Sequence, residues 1–111
     1  MTLLQEIQRH ENDLMAAVNQ LKEVFKDYVL AENEYNKIKA QRTLELKANG
    51  NPISLIENII KGDEPVLVER IKLGTFEANK EYLEQKIMTL QCILKSKNAR
   101  LQGELRVGNI I

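Results

Sequence analysis

Residues 49–65, Asn-Gly-Asn-Pro-Ile-Ser-Leu-Ile-Glu-Asn-Ile-Ile-Lys-Gly-Asp-Glu-Pro, decide the fold. Both prolines of the 111-residue chain and two of its five glycines fall here, in two clusters, Asn49 to Pro52 and Gly62 to Pro65. Proline and glycine are the strongest interrupters of helix, and the long stretches on either side contain no proline. The pattern predicts an all-α fold: a long antiparallel helical hairpin of coiled-coil type, with a short apolar helix at its turn. The expected helices are 3–48, 53–61 and 64–102 of a single domain, and the expected assembly is an oligomeric bundle.

Working outward, the first helix opens on Thr2-Leu3-Leu4-Gln5, a capping box in which each end satisfies a backbone donor left over by the helix. It should close at Gly50, which tolerates a left-handed C-terminal cap. Leu4, Ile7, Leu14, Val18, Leu21, Phe25, Tyr28 and Tyr35 recur at heptad spacings and form its seam. Glu11, Glu32, Lys39 and Arg42 interrupt it. Beyond Tyr28 the stripe is better followed through Ala31, Tyr35 and Ile38, which predicts a register slip and looser packing towards the turn.

The middle piece has two possible starts, Asn51 capping with Pro52 in the first turn, or a Ser54-Leu55-Ile56-Glu57 capping box. With Ile53, Leu55, Ile56, Ile59 and Ile60 it is too apolar and too short to stand alone, so it should fold back on the long helices. Asp63 is expected to cap the last helix, with Pro65 in its first turn. There the seam is clearest: Val66, Leu73, Ile87, Leu94 and Leu101 on one sevenfold series with Lys80, and Phe76, Leu83 and Leu90 between them. Gly74 marks a kink or a close helix contact, and the tail from Gly103 with Val107, Ile110 and Ile111 is expected to fray unless a partner covers it.

Lysine plus arginine equals aspartate plus glutamate, sixteen each, but residues 1–36 carry three basic and seven acidic side chains against thirteen and nine in the remainder. An antiparallel hairpin would lay that acidic start beside Lys86, Lys95, Lys97 and Arg100. Met15, Leu30, Tyr82, Met88, Cys92 and Ile93 lie off the seam, so the apolar face is wider than one neighbour covers, which predicts a homo-oligomer. One cysteine allows no internal disulfide. With no basic, apolar leader and no run of roughly 20 apolar residues, the chain reads as cytoplasmic, without a membrane partner.

Little points to catalysis. His10 is the sole histidine, Ser54 and Ser96 the only serines, and none stands at a triad-like spacing from another or from Cys92. Two Cys or His residues cannot complete a structural zinc site. Glu77, Glu81 and Glu84 share a helix face, as in all-helical metal-dependent nucleotide hydrolases, but Lys80 between them favours a solvated, paired face. The reading is therefore non-enzymatic, with no catalytic or metal residues and no cofactor. Lys37, Lys39, Arg42, Lys47, Lys61, Arg70 and Lys72 would gather at the turn end of a closed hairpin beside Tyr35, where they could track a phosphate backbone. Alternatively they are solvated charges paired with Glu45, Glu57, Asp63, Glu64 and Glu69.

The stretch Leu44-Glu45-Leu46-Lys47-Ala48-Asn49-Gly50-Asn51-Pro52-Ile53-Ser54-Leu55-Ile56, followed by Lys61-Gly62-Asp63-Glu64, Val66, Arg70, Ala78 and Tyr82, resembles small helical proteins from the replication and recombination modules of Gram-positive tailed phages and prophages. More distantly, the layout resembles the UvsY recombination mediators, but the chain is shorter, neutral and without tryptophan. The resemblance implies an oligomer in the bacterial host cytoplasm that binds single-stranded DNA and helps organise recombination or replication proteins. A coiled-coil adaptor touching only protein is the alternative.

Overall fold

The structure, a computed structural model, describes residues 1–110, with side chains through Gly108. It is all-helical: α1 (Leu3–Ala48), α2 (Ile53–Lys61) and α3 (Glu64–Ile110). α1 and α3 are the arms of the expected antiparallel hairpin and α2 is the short helix at its turn. Contacts fall into two compact units, Met1–Glu23 with Glu81–Ile111, and Val24–Lys80.

The ends of α1 follow from their residues. The Thr2 amide donates to Gln5 Oε1 at 3.0 Å and the Gln5 amide to Thr2 Oγ1 at 3.2 Å, closing the capping box. At the far end Gly50 takes φ +86°. Its amide donates to the Lys47 carbonyl and that of Asn51 to the Leu46 carbonyl, at 3.0 and 3.1 Å, which is a Schellman closure. The Asn51 side chain turns the same way, its Nδ2 donating to the Leu46 carbonyl at 3.1 Å. Neither expected start of α2 is therefore used. Asn51 is committed to the end of α1, Pro52 stands at the N-cap without a side-chain cap bond, and its carbonyl receives the amides of Leu55 and Ile56 at 3.0 and 3.2 Å.

In the unit Val24–Lys80, α2 folds back as expected. Ile56 and Ile60 bury 97 and 96% of their surface (3 and 4% exposed) with Val66, against Tyr35, Ile38 and Leu46. The expected loosening towards the turn is thus reversed: α2 supplies there the apolar bulk that α1 lacks. In the unit Met1–Glu23 with Glu81–Ile111, the buried residues are Ile7, Ala17, Leu83, Leu90 and Leu94.

The α1 seam also differs from expectation. Ile7, Leu14, Leu21, Tyr28, Tyr35 and Arg42 form one series, all buried or half-buried. The second is His10, Ala17, Val24, Ala31 and Ile38, one residue earlier than Leu4, Val18 and Phe25. Leu4 and Phe25 are instead 63 and 50% exposed, and Val18 is half-buried. No register slip occurs. The rejected series contains Glu11, Glu32 and Lys39, and turning it inward would bury three charges; the chosen one has only His10 as a polar member, and its alanines admit close helix approach. On α3, Val66, Leu83, Leu90 and Leu94 are buried and Leu73, Phe76, Lys80, Ile87 and Leu101 half-buried, the expected seam positions.

Gly74 is exposed, a Cβ there would meet nothing within 4 Å, and α3 runs through it, so it marks no close contact. The helix likewise overruns the expected end near 102 and the expected fraying. Glycine weakens a helix by about 1 kcal/mol relative to alanine without removing a hydrogen bond, and no proline follows Pro65 to stop it. Of the apolar tail, Ile111 and the Ile110 side chain lie outside the described residues.

Candidate nucleic-acid interface

Where α2 lies against the two arms within the unit Val24–Lys80, a groove of about 590 Å³ opens. Its floor is apolar, made by Ile56, Ile60 and Val66 with Leu67, and Ile53 stands at its edge, 73% exposed. Around it stand four cations, Lys39 and Lys47 from α1, Lys61 from α2 and Arg70 from α3, against the single carboxylate of Glu57. Tyr35 joins the floor to the cations: its ring lines the groove and carries Lys39 Nζ at 5.9 Å from its centroid. Among the described residues none of the four cations forms an ion pair with a carboxylate.

The seven basic residues expected at this end therefore divide. Lys39, Lys47, Lys61 and Arg70 come together around the groove. Arg42 does not line it. Its guanidinium forks onto Asp63, with Nε 3.1 and 3.0 Å from the two carboxylate oxygens and Nη2 2.8 Å from one of them, and it also meets Glu45. The hydrogen bond to Asp63, then that to Glu45, raises the guanidinium pKa above its ordinary value. Asp63, expected to cap α3 with its side chain, turns its carboxylate to Arg42 and offers its carbonyl to the Leu67 amide at 2.9 Å. Lys72 reaches Glu69 at 3.4 Å. Lys37 is exposed, two residues from Lys39 and so on a different side of α1.

Further along the same unit, Lys80 sits 5.7 Å from the centroid of the Tyr28 ring. The Glu32 carboxylate accepts the Tyr28 phenol's hydrogen bond and, with its charge, raises the phenol pKa above 10.0. In the other unit, Lys97 Nζ lies 3.1 Å from His10 Nε2 and 3.5 Å from Glu6 Oε2. This is one instance of the expected match between acidic α1 and basic α3. Lys97 can only donate, so Nε2 is the acceptor in this contact, and His10 Nδ1 is buried without a partner.

The arrangement offers cations and an apolar, partly aromatic floor, a combination that can hold an anionic chain with planar or apolar groups. Sequence reasoning found the cations and Tyr35, and named Glu57 only as a charge that could pair with them, but missed the groove itself, with Thr43 and Leu67 in its lining. The available signal was the excess of isoleucine in α2: four in nine residues, of which two are buried. Among the described residues no group of three or more His, Cys, Asp or Glu could hold a metal ion, and no helix is long and apolar enough to cross a membrane. Comparison with protein families, curated proteins and solved structures finds no match.

Proposed function

We propose that the chain is a self-associating helical scaffold whose groove between α1, α2 and α3 holds single-stranded nucleic acid by its phosphates. The observation that carries this reading is the convergence of Lys39, Lys47, Lys61 and Arg70 on one apolar groove beside Tyr35, with one opposing carboxylate. Scattered helix charges paired in place would leave no such excess. Single-strand binders combine cations that follow the backbone with a ring on which a base can stack. The setting that fits is an accessory role in phage or prophage DNA replication or recombination, in the bacterial cytoplasm.

Self-association is supported by the surface left over. The chain exposes 8284 Å², whereas a compact monomer of its 12.8 kDa mass exposes roughly 6,300 Å². Titration of a labelled oligonucleotide at several salt concentrations tests the groove. Affinity should fall as salt rises, with a logarithmic slope near −0.7 for each phosphate neutralised, hence about −3 for four contacts. The combined Lys39→Glu, Lys61→Glu and Arg70→Glu substitutions should abolish binding. No binding at low salt, or binding indifferent to these substitutions, would sink the proposal. The protein-only adaptor is favoured by the exposed Leu44, Leu55 and Ile71 of the same unit and predicts no response to the oligonucleotide.

A further inference from the structure

In the unit Met1–Glu23 with Glu81–Ile111, one side of the helix pair leaves Leu4, Met15 and Met88 exposed. Leu4, Gln8 and Glu11 of α1 and Asn98 of α3 line a shallow groove there, which fixes the side of each helix that faces it. Stepping by heptads places Met15, Val18 and Lys22 on the same side of α1, and Gln91 and Glu84 on that side of α3, where Met88, four residues after Glu84, and Lys95, three before Asn98, are their helical neighbours. Met15 and Met88 are 67 and 57% exposed and Val18 is half-buried. The contacts of Lys97 with Glu6 and His10 set the alignment of the two helices. It puts Met15 and Val18 level with Met88, Glu11 level with Lys95 at one end of this apolar centre, and Lys22 level with Glu84 at the other.

We infer that this face packs on the same face of a second copy, completing a four-helix contact. The inference deepens the self-association proposed above and rests on it. Charge complementarity selects the occupant. A two-fold axis can cross the face in two ways. Reversing the copies end for end brings Glu11 against Lys22 of the second copy, and Lys95 against Glu84; keeping their direction brings Glu11 against Lys95, and Lys22 against Glu84. In either case each cation meets a carboxylate and like charges do not face each other, as an isologous interface requires.

Sedimentation equilibrium on the full chain, without nucleic acid, reads the outcome. A dimer mass is expected for the unmodified chain, and a monomer of unchanged helical circular dichroism for Met15→Glu with Met88→Glu. Glu11→Lys should raise the dimer dissociation constant about tenfold, since symmetry replaces two attractions by two repulsions. Adding Lys22→Glu should restore it if the copies run end for end, and adding Lys95→Glu if they run in the same direction. Restoration by neither overturns the inference. An oligomer that survives Met15→Glu with Met88→Glu overturns this face and leaves self-association standing; a monomer at every concentration overturns both. The groove is tested separately by the oligonucleotide titration, because its cations lie in the other unit.

Discussion

Arg42 shows how neighbours decide what a charged residue does. Sequence placed it among the phosphate-binding cations; the structure gives it two carboxylates and takes it out of the groove. Asp63 has a side chain only 10% exposed and receives the guanidinium on both oxygens, whereas Glu45 is 58% exposed and screened by water. Asp63→Ala should therefore lower the urea midpoint clearly, because Arg42 loses its forked partner, while Glu45→Ala should leave it nearly unchanged. Equal losses from the two substitutions would contradict this ranking. The fork joins α1 to the start of α3, a pairing across 21 positions that spacing alone could not reveal.

The helices themselves were legible because their signals are local. The Thr2–Gln5 box, Gly50 and the two break clusters act within a few residues, and the structure keeps them. What sequence missed depended on contact between elements. The α1 seam chose Ala17 and Val24 over Val18 and Phe25 because their series carries charges that cannot be buried, and apolar size alone argued the other way; Ala31 and Ile38, which the sequence did point to, lie on the chosen series. Gly74 teaches the converse: a glycine in a regular seam suggested a tight contact, yet the space around it is open. Gly74→Ala should consequently stabilise the protein by up to about 1 kcal/mol, measured by denaturant unfolding. A loss of stability would show that the position needs glycine after all.

Across the molecule, sixteen large hydrophobics among the described residues are exposed, Met15, Phe25, Ile71 and Met88 among them, against seven that are buried, so one copy leaves much of its apolar surface in water. If copies associate, the melting temperature should rise with protein concentration, because association stabilises only the folded chains that take part; a melting temperature independent of concentration over two decades would argue for a monomer. The polar contacts carry one more consequence. A seam that repeats every seven residues offers many near-equivalent alignments, since sliding one arm past the other by a heptad exchanges one aliphatic side chain for another. Lys97 with Glu6 and His10 in one unit, and Arg42 with Asp63 in the other, exist at a single setting. They work as dowels that let an otherwise slippery joint close in one way.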